Sequence, residues 1–235
     1  MNTSQEVWAI IPTRGGSTGL SEKNIRMLAG KPLLHYMLEK AVQARSLSRI
    51  VLTTDNDEIE LAARQISGID VWRHDPSLSV AGQPSFGVFR STYEKLVQEG
   101  GIEPRAVVLL RVTTPLCLAS DIDNAVGLLL GNNVNAESVL SVVKSNVHPK
   151  RTYMMDTQGF LRAREETPES DYPLPRQVFD EVYIRNGAIY ASLPTIVREG
   201  RLWGPKVIAY VMPKERSINI NDDVDFILAE ALIRR

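Results

Sequence analysis

Short runs of aliphatic and β-branched residues alternate along the chain with stretches in which apolar residues recur every three or four positions. The first run, Val7–Ile11, predicts a buried strand. After Lys31–Pro32, the spacing of Leu33, Leu34, Met37, Leu38, Ala41 and Val42 predicts an amphipathic helix. Arg49–Thr53 predicts a second strand, and "DEIELAARQI" a helix whose acidic first turn suits the helix dipole. The alternation continues with strand Asp70–Trp72, helix Phe86–Gln98, strand Ala106–Leu110, helix Ser120–Leu130 and strand Ser138–Val143. Such a βαβα order predicts an α/β fold with a parallel sheet covered on both faces.

The pattern breaks near residue 145. Between about 145 and 180 apolar runs are few, while Pro149, Pro168, Pro173 and Pro175 punctuate the segment, with Pro194 beyond it. A long irregular excursion inside a compact domain is usually functional or an interaction arm. Strands at Gly187–Ala191 and Lys206–Val211 and a final helix, "DDVDFILAEALIRR", acidic at its start and basic at its end, complete the expectation.

Composition narrows the function classes. The 235 residues suffice for one large α/β domain or two small ones, and 43% hydrophobic with 23% charged residues is ordinary for a globular protein. A formal net charge of −1 without a long basic run argues against a general nucleic-acid binder. No apolar stretch approaches the roughly 18 residues of a membrane span, and the N-terminus lacks the features of a signal peptide. With its one cysteine, Cys117, the expected location is the cytoplasm. His35, His74 and His148 show no zinc spacing, so any metal would need oxygen ligands.

Candidate chemistry gathers just after the predicted strands, where parallel sheets hold their ligands. The loop after the first strand, "IIPTRGGSTGLSEKN", carries Arg14, Gly15, Gly16, Ser17, Gly19 and Lys23. It is neither of the two commonest phosphate loops. Glycine backbone N–H groups and two cations suit phosphate oxygens, although a glycine-rich turn with solvated charges has the same composition. After the second strand, Asp55 suits a ribose or a metal, and more simply a helix cap. "LLRVTTPLC" places Arg111 and Thr113 at a strand end, fit for an anionic substrate or for a solvated rim.

The segments "IIPTRGGSTGLSEKN", "RIVLTTD", "LLRVTTPL", "SVLSVV", "HPKR", "PRQ", "RNGAIY" and "MPKERSINI" resemble, in the same order, the motifs of the acylneuraminate cytidylyltransferases. That family comprises the CMP-sialic acid synthetases and their relatives for legionaminic and pseudaminic acids. The resemblance covers nearly the whole chain. It implies a single domain over 1–235 with a three-layer nucleotidyltransferase fold, a mostly parallel central sheet, and a protruding dimerisation arm at about 145–180 in a homodimer.

For the site, the resemblance implies that Arg14 and Lys23 act on the triphosphate of CTP. Gly15, Gly16, Ser17 and Gly19 would line the nucleotide, and Asn24 would lie near the cytosine. Arg73 or His74 takes the place of an arginine beside the base, followed by Ser85. Arg151 and Arg176 would hold the carboxylate of a small acidic sugar, with Arg111, Thr113, Asn186 and Tyr190 nearby. Mg²⁺ is the implied cofactor, at Asn219 and Asn221 with Asp222 adjacent. Four positions depart from the family pattern: Thr18 replaces a basic residue, Arg111 a glutamine, and Asn219 with Asn221 a pair of aspartates. The implied reaction transfers CMP from CTP to the anomeric hydroxyl of a nonulosonic acid. The departures leave two alternatives: a binding homologue serving as a regulatory or scaffold subunit, and a CMP transferase for another acidic acceptor.

Overall fold

The computed structural model describes residues 5–16, 22–79, 85–131, 135–165 and 179–235. Ser17, Thr18, Gly19 and Arg176 lie outside them. A seven-stranded sheet forms the centre, built from β1 (Val7–Pro12), β4 (Arg49–Thr54), β5 (Asp70–Arg73), β6 (Ala106–Leu110), β7 (Ser138–Lys144), β10 (Tyr183–Ser192) and β11 (Val207–Val211). Its spatial order is β11-β7-β10-β6-β1-β4-β5. All neighbours are parallel except β10, which runs antiparallel to both β6 and β7.

Period-two alternation in β1 divides the core into two layers. Val7, Ala9 and Ile11 face one side, packed with α1 (Leu33–Gln43), α2 (Asp57–Ala63) and α4 (Ala119–Leu130). Trp8 and Ile10 face the other, against Phe89, Tyr93 and Leu96 of α3 (Phe86–Gly100) and Val197 of α5 (Pro194–Arg198). The three-layer expectation therefore holds. A third cluster joins Leu28, Leu33 and Tyr36 to Ile220, Phe226 and Ala229, seating α6 (Asp223–Ile233) beside the two-stranded β2 (Met27–Leu28) and β3 (Lys31–Pro32).

Several expected boundaries move. α2 ends at Ala63, three residues before the predicted Ile66, and Val42 is exposed rather than packed with α1's apolar face. Asn56, not Asp55, caps α2 by accepting the Ile59 N–H at 2.9 Å. Within the irregular excursion, β8 (Tyr153–Met155) and β9 (Leu161–Ala163) pair as a short antiparallel hairpin that exposes Tyr153, Met154, Met155, Phe160 and Leu161. Residues 166–178, which include Pro168, Pro173 and Pro175, lie outside the described residues.

Candidate functional site

The carboxyl ends of β1 and β6 open onto a cavity of about 560 Å³, within the usual range for small-molecule sites. Arg14 and Lys23 enter it from the loop after β1, Arg111 and Thr113 from the end of β6, and Arg185 and Tyr190 from β10. Asn24, His74, Ser79, Ser85 and Asn221 also line it. Among the described lining residues four are cationic, Arg14, Lys23, Arg111 and Arg185, and none is a carboxylate. Such a lining suits an anion.

Local hydrogen bonds set the loop after β1. The Thr13 N–H extends the β1–β4 ladder by donating to the Thr53 carbonyl at 2.8 Å, and Asn24 Nδ2 donates to the Arg14 carbonyl at 3.0 Å. Asn24 thus closes the loop on Arg14 while it lines the cavity. Gly15 donates its N–H to Asp55 Oδ1 at 2.8 Å, so that group braces the loop and is not turned toward an anion. A Cβ at Gly15 would stand 2.8 Å from Asn56 Cβ, so the loop needs glycine there for close approach to the α2 cap. Gly16 is exposed with open space at its Cβ position, and neither glycine is part of the cavity wall.

Lys23 Nζ donates to the Ile220 carbonyl at 2.8 Å. Its ammonium thereby rests on the peptide between Asn219 and Asn221. Burial lowers its pKa, and the positive charges of Arg111 and Arg14 lower it further, against the opposing pull of Asp225. The cations are near enough to repel one another across the cavity.

Of Arg73 and His74 at the end of β5, only His74 lines the cavity. Arg73 turns the other way, to Asp57 at 2.7 Å and Glu60 at 3.4 Å on α2, so it does not take the nucleotide-side place suggested for it. Adjacent residues at a strand end point to opposite faces. His74 bonds Thr53 Oγ1 at 2.9 Å and Ser79 Oγ at 2.5 Å. Burial lowers its pKa, partly opposed by Asp55.

Asn186 also departs from its implied place. It is buried, with Oδ1 accepting from Ser141 at 2.6 Å and Nδ2 donating to Ser217 Oγ at 3.0 Å, so its amide holds β10 to β7 and to the turn after β11. The neighbouring Arg185 is the residue that lines the cavity, at 4.9 Å from the Trp203 ring centroid. Arg151 lies away from the cavity lining, over the Phe179 ring at 5.5 Å, beside His148 stacked on the same ring.

The residues implied for Mg²⁺ do not form a divalent-cation site. The stretch is a non-strand segment anchored by the Ile220 N–H on the Thr113 carbonyl at 2.8 Å. Asn219 Oδ1 already accepts from Thr113 Oγ1 at 2.7 Å, and Asn221 Nδ2 donates back to the Asn219 carbonyl. Asp222 caps α6 by accepting the Asp225 N–H, and Asp225 accepts the Asn221 N–H. No group of three His, Cys, Asp or Glu side chains suited to a metal exists among the described residues. A site of this kind normally includes one or two carboxylates.

A clamp on Asp121 ties the start of α4 to β11 and the turn after it. Asp121 accepts from Arg216 Nη2 at 2.8 Å and Nε at 3.0 Å, from Tyr210 Oη at 2.8 Å, and from the Leu118 N–H at 2.9 Å. Burial alone would raise its pKa, but the Arg216, Leu118 and Tyr210 hydrogen bonds together hold the carboxyl below its ordinary range. Cys117, buried nearby, has its thiol pushed up to about 12 by desolvation and is no nucleophile.

Residues 8–190 match the cytidylyltransferase family. The chain is 30% identical over 224 residues, 93% of its length, to the N-acylneuraminate cytidylyltransferase of Streptococcus agalactiae serotype III (strain NEM316), but it spans only about half (51%) of that relative. It is 27% identical over 231 residues to the CMP-N,N'-diacetyllegionaminic acid synthase of Legionella pneumophila subsp. pneumophila (strain Philadelphia 1 / ATCC 33152 / DSM 7513), covering 97% of this chain and 96% of the relative. Among solved structures, CMP:2-keto-3-deoxy-manno-octonic acid synthetase complexed with CTP shares the fold, with a TM-score of 0.69 at 13% identity over 97% of this chain and 98% of that one. By this match, which takes in every sheet strand from β1 to most of β10, the chain belongs to the cytidylyltransferase family.

Proposed function

We propose that the protein transfers CMP from CTP to the anomeric hydroxyl of a nonulosonic acid, releasing pyrophosphate. The observation that carries this reading is the cavity at the sheet's carboxyl edge, lined by Arg14, Lys23, Arg111 and Arg185, with no carboxylate among the described lining residues. In the reaction the hydroxyl oxygen bonds the α-phosphorus, its proton is released, and the bond to the β-phosphate breaks. Little covalent work falls to the protein, so positioning and charge neutralisation supply the catalysis. Arg14 and Lys23 face the triphosphate. Asn24, His74 and Ser85 face the base and ribose. Thr113, Arg185 and Tyr190 surround the acceptor, and an acidic sugar suits the Arg185 guanidinium.

The protein works as a homodimer in the cytoplasm. The apolar faces of Met154, Met155, Phe160 and Leu161 on the β8–β9 hairpin support a dimer contact, through which Arg151 reaches the partner's acceptor. Pyrophosphate release, measured with CTP and a panel of nonulosonic and 3-deoxy-octulosonic acids, tests the reading. Absence of turnover with every acid would sink it. The second reading, a binding homologue with little catalysis, draws on the amide-for-carboxylate set at 219–221; CTP binding with no turnover would select it.

A further inference from the structure

A nucleoside triphosphate brings a dense negative charge into any site that holds it. Proteins balance that charge with side-chain cations, with a divalent ion held by carboxylates, or with both. Here the two means are unequally represented. The nearest carboxylates to the cavity's α6 edge are committed elsewhere: Asp222 and Asp225 close the first turn of α6, and Asp223 pairs with Arg26 at 2.7 Å.

The cations converge instead. Lys23 sits on the Ile220 carbonyl, in the middle of the segment whose side chains would have to ligate an ion. Gly187 (φ 82°), the glycine of the β10 bulge, brings Arg111 to the same place: the position of a Cβ there lies 3.1 Å from Asn219 Nδ2 and 3.8 Å from Arg111 Nη1. With Asn219 Oδ1 turned to Thr113, the amide presents its N–H₂ beside the guanidinium. The segment therefore sets donors and positive charge beside the neutral Asn221 amide, with no carboxylate at 219–221. A free divalent cation would be repelled by Lys23 and Arg111 at short range.

Building on the cytidylyltransferase reading, we infer that Arg111 and Lys23, together with Arg14, neutralise the triphosphate directly, so that this protein binds CTP without a protein-held divalent cation. Mutual repulsion of these clustered cations is relieved when the anion enters. Arg111 is thus assigned to the nucleotide's phosphates, and Arg185 remains to meet the acid of the acceptor.

Isothermal titration calorimetry of CTP into the full chain, in EDTA and in Mg²⁺, tests this. The dissociation constants should agree within about threefold, equivalent to under ~0.7 kcal/mol. Arg111→Gln should weaken binding in EDTA at least tenfold, and Arg111→Lys should recover part of the loss. The pair Asn219→Asp with Asn221→Asp should weaken CTP binding in EDTA and make it depend on Mg²⁺. Circular dichroism and melting temperature establish that each variant folds. Wild-type binding in Mg²⁺ that falls more than tenfold in EDTA would overturn the inference and leave the cytidylyltransferase reading standing. Failure of CTP to bind in either buffer would overturn both.

Discussion

Replacing Arg216 by Met tests how the start of α4 is held. The substitution keeps the length of the side chain and removes its charge, leaving Asp121 buried at 0% exposure without its guanidinium partner. Breaking a buried pair from one side costs about 3–5 kcal/mol. Two features reduce that here: Arg216 is itself 32% exposed, and the Tyr210 hydroxyl and Leu118 N–H still serve the carboxylate. A loss of about 2–3 kcal/mol remains, or about 4–12 °C in melting temperature for a domain of this size. Urea unfolding at pH 7 measures it. The pH dependence supplies an independent check. In the wild type the folded pKa of Asp121 lies below its ordinary 3.8, so the clamp's stabilisation is complete above that value and is lost as pH falls through the folded pKa. The gap between wild type and variant should therefore be full above about pH 5 and shrink below about pH 4. A stability change under about 0.5 kcal/mol, or a gap unchanged down to pH 3, would refute the reasoning.

Three further outcomes follow from the geometry. Gly15→Ala must push its Cβ into Asn56, so stability should fall by about 1–3 kcal/mol and CTP affinity by about tenfold as Arg14 shifts; melting and calorimetry read the two effects. Asn186→Ala leaves Ser217 Oγ and the Ala188 N–H without their side-chain partner, with an expected loss of about 1–3 kcal/mol in chemical denaturation. His74 has a lowered folded pKa, so the unfolded chain takes up its proton first as pH drops below the ordinary 6.5, and stability falls with it. His74→Gln should remove that component, a slope of at most about 1.4 kcal/mol per pH unit between about pH 7 and 5, measured by urea titrations.

The sequence by itself determined the layered α/β order and the loop after β1. Both rest on local signals: hydrophobic period, strand-end cations and glycine spacing need no long-range information. The same signals located Arg14, Lys23 and Arg111 because each follows a parallel strand, whose carboxyl end lies at the ligand edge. Arg185 escaped that rule. β10 runs antiparallel, so the residues entering it, rather than those leaving it, reach that edge, and direction is a property of the sheet and not of the segment. Choosing His74 over Arg73 required knowing which face α2 covers, because Asp57 and Glu60 capture one of two neighbours that look alike in sequence. Asn186 matched a motif, yet its amide is consumed by Ser141 and Ser217, 45 and 31 residues away. Most telling is Lys23, whose charge was legible at once. Its seat on the Ile220 carbonyl, 197 residues along the chain, was set only by the packing of α6 against β2 and α1. Tertiary structure thus decided which charges meet, because electrostatic interaction falls with distance in space and is blind to distance in sequence.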